Sequence, residues 1–537
     1  MPAPHTLSCT DLHFTWPDGT TVFSGLTAAF PAGVTGLIGG NGSGKTTLLQ
    51  LMTGHLVPTG GHLSLPAAPA HLPQTLTSRV NVRVDEALGI TAKLRALHAV
   101  EAGEVTQAHL DTIGTDWDVE QRAHALLADL GLEHLDLHRR VGELSGGQAV
   151  LLHLAALLLA RPEVLLLDEP TNNLDRHARQ RLRHALAAWR HGVSLVVSHD
   201  RELLEDVDRV AELRDGQITL HGGGYSSYEQ AVATQQAAAQ QALRTAEAQE
   251  RRQEREWVET QTKVARRARQ GAKAAESLPK ILAGARKRAA QHSAGKLTGV
   301  QQQRLDAARQ ARQNAEDAVR SEQQLRVDVP ATRVPGGRGV AQLRQAVLPH
   351  TGASVDLDIS GPERIALVGA NGTGKTTLLR LLAGHLDPER GSAQVSVPAR
   401  LLPQRLDLLD PALSVADNLA AAAPGLSDNQ VRAQLARLLF TGARAEQPAG
   451  TLSGGEVLRA SLAVVLLAEP APQLLMLDEP TNNLDLDSSK QLAAALRGFP
   501  GALVVAGHDA AFLREINPTR WLQLTDTLTE LDPESGT

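Results

Sequence analysis

Nothing constrains this chain more than a glycine-rich segment that occurs twice, GGNGSGKTT at Gly39–Thr47 and GANGTGKTT at Gly369–Thr377, with Lys45 and Lys375 lying 330 positions apart. Each copy follows an apolar stretch (34–38 and 365–368) and precedes one with helical spacing (46–52 and 376–383). Strand, loop and helix in that order are the context of a phosphate-binding loop. The glycines let backbone N–H groups curl around phosphate oxygens at a helix N-terminus, where the dipole favours negative charge. Lys45 and Lys375 are expected to reach the β- and γ-phosphates, and Thr46 and Thr376 to place a hydroxyl on Mg²⁺. The chain is therefore expected to be α/β and duplicated.

Later landmarks recur in the same order: LPQ ending at Gln74 and Gln404, LSGG from Leu144 and Leu452, LDEPTNNLD from Leu167 and Leu477, and His-Asp at His199 and His508. The offset falls from 330 at the glutamines to 308 at LSGG, which places about 22 extra residues in the first half. They are assigned to a polar, helical insertion at about 84–113. Between the halves, residues 229–325 are rich in Ala, Gln, Arg and Glu, good helix formers with few apolar anchors. Two antiparallel helices are expected there, broken mid-segment around Gly271, Ser277, Pro279, Gly284 and Gly295. This divides the chain into 1–228, a linker at 229–325, and 326–537.

Charge separates along the same boundaries. The whole chain is at −6, yet residues 229–325 hold 18 Lys or Arg against 11 Asp or Glu, and Lys263–Lys296 holds ten basic residues against the single acid Glu276. A spacer needs no such concentration of like charge, so Arg266, Arg267, Arg269, Lys273, Lys280, Arg286, Lys287 and Arg288 are read as an RNA-binding tip. One cysteine, Cys9, leaves no internal disulfide or cysteine-based metal cluster. The longest nearly unbroken apolar run, Ala149–Ala160, has 12 residues, short of the ~20 that a membrane span requires. With no basic and apolar leader at the N-terminus, a cytoplasmic location is expected.

The two LDEP segments each end an apolar run in paired acids. Asp168 and Asp478 suit the Mg²⁺ shell, Glu169 and Glu479 polarisation of the attacking water, and His199 and His508 a position near the γ-phosphate. LSGGQ (Leu144–Gln148) and LSGGE (Leu452–Glu456), set between the glutamine and the acids, resemble the signature of ATP-binding cassette ATPases. The resemblance implies two P-loop cassette domains joined by a long helical hairpin, with ATP and Mg²⁺ sandwiched head to tail between cassettes of a monomeric chain. Gly39, Asn41, Gly42, Ser43, Gly44, Lys45, Thr46, Thr47, Gln74, Asp168, Glu169 and His199 would then face Ser453, Gly454 and Gly455. In the other site Gly369, Asn371, Gly372, Thr373, Gly374, Lys375, Thr376, Thr377, Gln404, Asp478, Glu479 and His508 would face Ser145, Gly146 and Gly147. Gln74 and Gln404 would complete the Mg²⁺ shell. Trp16 occupies the place of the family's adenine-stacking aromatic, and the second half has no aromatic anywhere in 326–368.

The basic linker, EPTNNLD in both halves, SHDRELL from Ser198 and GGGYSSY from Gly222 narrow the resemblance to ABC-F proteins. That group implies binding to the ribosome near its tRNA exit site, with the linker meeting rRNA and tRNA, in translation control or antibiotic resistance. The sequence departs from the group's common pattern at Asn173, Asn483 and Gly507. The alternative is a tandem ATPase subunit of an importer that acts with a separate membrane permease.

Overall fold

The computed structural model describes residues 6–74, 81–172, 174–189, 191–275, 280–319, 330–482 and 484–532. The chain divides into two compact units: Met1–Tyr225 with Gln324–Thr537, and Ser226–Gln323.

In the first unit each half builds the same two sheets. The larger sheet of the first half runs Ala70–Leu72, Val164–Asp168, Val193–Val197, Gly33–Gly39, Arg209–Arg214, Gln217–Gly222; only the last pair is antiparallel. Its counterpart runs Ala399–Leu402, Leu474–Asp478, Ala502–Ala506, Arg364–Val368, Arg520–Leu524, Leu528–Leu531, again with one antiparallel edge. The strands VLLLD, VSLVV, LLMLD and ALVVA are buried at every position, because a parallel sheet covered on both faces has no solvent side to alternate with. A three-stranded antiparallel sheet, Thr21–Phe30, Leu7–Thr15, Gly60–Ser64, packs the first core; Ser354–Ser360, Gly339–Val347 and Arg390–Val395 do so for the second. Parallel pairing puts the ends of the glycine-loop, LDEP and His-Asp strands on one edge of each sheet, the edge where open α/β sheets bind ligands.

The extra length of the first half is a helical pair, Thr91–Glu101 and Gln107–Ile113, between Val84–Ala87 and Val119–Asp129. Lys93 and Arg122 converge on Asp116 to pin it. The second half has only Val415–Ala422 and Asp428–Arg437 before its signature, apart from short 3₁₀ turns.

The second unit is built from two helices, Tyr225–Ala275 and Lys280–Ala318. At 1.5 Å per residue, 51 residues of helix are roughly 75 Å long. The expected interruption is narrower than the glycine pattern implies: Gly271, Gly284 and Gly295 lie inside the helices. A glycine costs a helix only about 1 kcal/mol relative to alanine, and the surrounding Ala, Arg, Lys and Gln offset it. Ser277 and Pro279 lie outside the described residues. Glu250 on one helix pairs with Arg309 and Arg312 on the other, at 3.6 and 2.9 Å, fixing their register near buried Ala246 and Leu305. Arg266, Arg267, Arg269 and Lys273 are exposed. The side chains of Lys280, Arg286, Lys287 and Arg288 lie outside the described residues.

Candidate functional site

Each glycine loop turns from its strand into a helix, Lys45–Met52 or Lys375–Leu382, without a side-chain cap. Gly44 and Gly374 take φ of 102° and 104°, and a Cβ at Gly44 would sit 2.6 Å from Val22, so glycine is required there for conformation and space. Gly39 and Gly369 leave their strands where a Cβ would collide with the carbonyls of Leu213 and Leu524. Within the loop, Thr373 Oγ1 donates to the Ala370 carbonyl at 3.0 Å, while Ser43 Oγ is buried with no partner among the described residues. Lys45 Nζ donates to the carbonyls of Gly39 and Gly40 at 2.8 and 3.0 Å, and Lys375 Nζ to those of Gly369 and Ala370 at 2.7 and 3.1 Å. Burial lowers the pKa of both ammonium groups, against the opposing pull of Glu169 and Glu479.

Asp168 and Asp478 end buried strands beside these loops. Thr376 Oγ1 donates to Asp478 Oδ2 at 2.7 Å, and Thr46 is the hydroxyl neighbour of the Asp168 carboxylate. In each aspartate the other oxygen, Oδ1, is buried and has no partner among the described residues. A hydroxyl and an unsatisfied carboxylate oxygen, side by side on the cavity wall, are the hard donors a Mg²⁺ ion takes. The donor set therefore fits the ion. Gln74 and Gln404 line the same cavities.

The next residue was legible as an acid but not as a backbone feature. Glu169 and Glu479 sit at φ of 50° and 48°, in the left-handed region that costs a non-glycine residue about 1–3 kcal/mol. Each is held there by its own N–H, which donates to Val197 or Ala506 on the neighbouring strand at 2.9 and 2.8 Å. The strained turn aims both carboxyls into the cavities. His199 Nε2 lies 3.1 Å from Glu169 Oε1, and His508 Nε2 3.3 Å from Glu479 Oε1. His508 Nε2 also meets Lys375 Nζ and Asn371 Oδ1, both at 3.1 Å. Burial pushes Glu169 up to about 8 and Glu479 up to about 7, and takes both histidines down to about 3. Burial thus favours the uncharged form of both members of each pair.

The signature motifs are helix starts. Ser145 caps Gly146–Leu159 and forms a reciprocal box with Gln148; Ser453 does the same for Gly454–Leu467 with Glu456. The fifth residue of LSGGQ and LSGGE is therefore Gln or Glu for a local reason, closing the box. The two differ in where they lie. A cavity of about 530 Å³ brings together Trp16, the Lys45 loop, Gln74, Asp168, Glu169 and His199 of the first half with Ser453 and Gly454 of the second. Gly455 is buried behind them, against Ser488. A second cavity of about 350 Å³ joins the Lys375 loop, Gln404, Asp478, Glu479 and His508 to Leu174 and Arg179 of the first half. Ser145, Gly146 and Gly147 do not line it. Trp16 stands edge-on to Phe14, with ring centroids 5.0 Å apart, and Thr351 is on the wall of the second cavity.

One contact was not read from the sequence. Asn41 N–H in the first loop donates to Asp485 Oδ2 of the second half at 2.7 Å, while Asp485 Oδ1 caps the helix Leu486–Arg497. Its signal is the last residue of NNLD, a carboxylate placed directly before a helix. Asn173 and Asn483 lie outside the described residues.

The ABC transporter family matches residues 26–172 and 353–482, covering both loops. The tylosin resistance ATP-binding protein TlrC of Streptomyces fradiae is 33% identical over 92% of this chain and 92% of its own length. The energy-dependent translational throttle protein EttA of Mycobacterium tuberculosis is 31% identical over 90% of this chain and 85% of its own. Among solved structures, the archaeal ribosome recycling factor aABCE1, in complex with the stalk protein aP1, aligns with a TM-score of 0.62 at 18% identity, over 98% of this chain and 91% of that one; this likeness speaks for the fold. Among the described residues no helix is long and apolar enough to cross a membrane. Two complete sets of loop, acid and histidine, repeated in two sheets of one topology and shared with relatives along nearly their whole length, place this ATP hydrolase in the ABC-F family of tandem ATP-binding cassette proteins.

Proposed function

We propose that ATP binding draws the two cassettes together and hydrolysis releases them, and that this cycle governs binding of the cytoplasmic protein to the ribosome through the basic linker. The observation that carries the reading is the first cavity, where the Lys45 loop of one half and Ser453–Gly454 of the other bound a single space. A ligand filling it ties the halves together. In this reading Lys45 and Lys375 hold phosphate, Thr46, Asp168 and Gln74 hold one Mg²⁺, and Thr376, Asp478 and Gln404 the other. Bound Mg²⁺ supplies neutralisation of charge on the β- and γ-phosphates. Glu169 and Glu479 orient the attacking water and accept its proton, and His199 and His508 fix the carboxyls and sense the γ-phosphate. The ribosomal assignment is supported by a cationic linker of two long helices and by full-length relatives named for translational throttling and tylosin resistance. An importer subunit would have no use for that linker. Sedimentation with ATP separates the two: the protein is expected in the ribosome pellet, and recovery with membranes instead would overturn the proposal.

The two sites should also differ in how they hold the base. Trp16 lies on the Lys45 cavity, and among the described residues no Phe, Tyr or Trp lines the other. Stacking on a base is worth about 1–3 kcal/mol. Adding Trp16→Ala to a Lys375→Ala chain should therefore weaken ATP binding by about 5- to 150-fold in a nucleotide titration. No loss would return Trp16 to a packing role beside Phe14.

A further inference from the structure

Arg179 sits on the helix Arg176–Ala188, directly after the first NNLD segment. Its side chain is 17% exposed; Nε donates to the Leu174 carbonyl at 3.1 Å and Nη1 lies 3.4 Å from Asp200 Oδ2. Among the described residues only Arg179 and Asn482 line both cavities, and Arg179 alone of the two is charged. Asp200 belongs to the wall of the Lys45 cavity, next to His199, and spends its Oδ1 capping the helix Arg201–Glu205. Arg179 is thus the counter-charge of the oxygen that remains. The repeat supplies an internal comparison. At the 310-residue offset of the LDEP motifs Arg179 becomes Ser489, which lines the Lys45 cavity as Arg179 lines the Lys375 cavity. The two cavities share the same lysine, paired acids and histidine but differ in what the opposite half delivers: Arg179 to the Lys375 cavity, and Ser489 to the Lys45 cavity, where Arg179 comes from the same half as the loop.

We propose that Arg179 is a shared ligand that couples the two sites: it supports nucleotide phosphate in the Lys375 cavity, and its departure from Asp200 reports that occupancy to the Lys45 cavity. The inference rests on reading both cavities as ATP sites. A guanidinium offers a planar fork of donors suited to phosphate oxygens, and a single 3.4 Å contact to Asp200 is a weak competitor for it. Coupling of this kind is reciprocal, so nucleotide in either cavity alters affinity at the other.

The test uses the full chain and ATP with Mg²⁺, followed by calorimetry. In a Lys45→Ala background, where the Lys375 loop is the intact one, Arg179→Ser should weaken ATP binding about 5- to 20-fold, and Arg179→Lys, which keeps the charge, should recover most of the loss. In a Lys375→Ala background the same Arg179→Ser, which frees Asp200 as departure of the guanidinium would, should shift affinity by a clearly smaller factor than in the first, because no phosphate contact is lost there. A merely structural role would weaken both backgrounds alike and would not respond to charge. Equal losses in both, or none in the first, would overturn the proposal. Absence of ATP binding by Lys45→Ala with Arg179 intact would overturn the nucleotide reading of the Lys375 cavity, and the shared-ligand role with it.

Discussion

Replacing Glu169 and Glu479 together by glutamine should lower ATP turnover by about 10²- to 10⁴-fold while leaving ATP binding intact. Both carboxyls are buried, and burial favours an uncharged group there, so a neutral amide of the same shape fits the pocket and the strained turn is undisturbed. What the amide cannot do is ionise and take a proton from water. The lysine contacts to the loop carbonyls and the unpaired Asp168 and Asp478 oxygens lie outside the substitution. The expected product is a chain that stays closed on ATP, measured as steady-state phosphate release against equilibrium nucleotide binding. On the ribosomal reading it should also persist in the ribosome pellet and inhibit translation. Full turnover by the double variant would remove these acids from the chemistry.

On the same ribosomal reading, neutralising Arg266, Arg267, Arg269 and Lys273 with glutamine should flatten the salt dependence of binding to ribosomes. All four are exposed, and none has an ion pair with another described residue, unlike Lys263, which lies 3.4 Å from Glu259. Each cation on a phosphate releases about 0.7–0.9 of a counterion, so four of them contribute a slope of about three to four in log affinity against log salt. Between 50 and 200 mM salt that amounts to roughly a hundredfold. The linker's one aromatic, Trp257, lies outside this cluster, so backbone charge and RNA shape rather than stacking should dominate. Sedimentation across a salt series reads the slope, with ATPase activity as the control for folding. An unchanged slope would make the linker a solvated spacer.

Much of the chemistry was legible because the relevant residues are consecutive. A phosphate loop, an acid pair ending an apolar run and a serine two glycines ahead of Gln or Glu are all local, and the fold places them by parallel strand pairing alone. What escaped was of three kinds. The left-handed backbone at Glu169 and Glu479 is set by hydrogen bonds to a strand some thirty residues downstream, Val197 and Ala506, and no residue type announces it. The Asn41–Asp485 bond spans 444 positions and depends on how the halves meet. The linker glycines were over-read, since Gly271, Gly284 and Gly295 carry a turn-forming identity but too small a penalty to break helices this long. The inequality of the two cavities was half visible: the missing aromatic could be seen in the sequence, whereas the absence of Ser145 from the Lys375 wall could not.

The two capping serines, so alike in outline, hold different proton inventories. Ser453 Oγ gives its hydrogen to Glu456 Oε2 at 2.7 Å, a short bond to a carboxylate. Ser145 Oγ instead receives from the Gln148 N–H at 3.3 Å, and Gln148 Oε1 is engaged with the Ser145 N–H, so the hydroxyl hydrogen of Ser145 has no acceptor among the described residues. An incoming anion at Ser145 gains a donor and takes nothing away. At Ser453 it must win the hydrogen from a resident anion, loosening the start of the Gly454–Leu467 helix as it does so. One glutamate in place of one glutamine makes the first half's signature an open hand and the second half's a closed one.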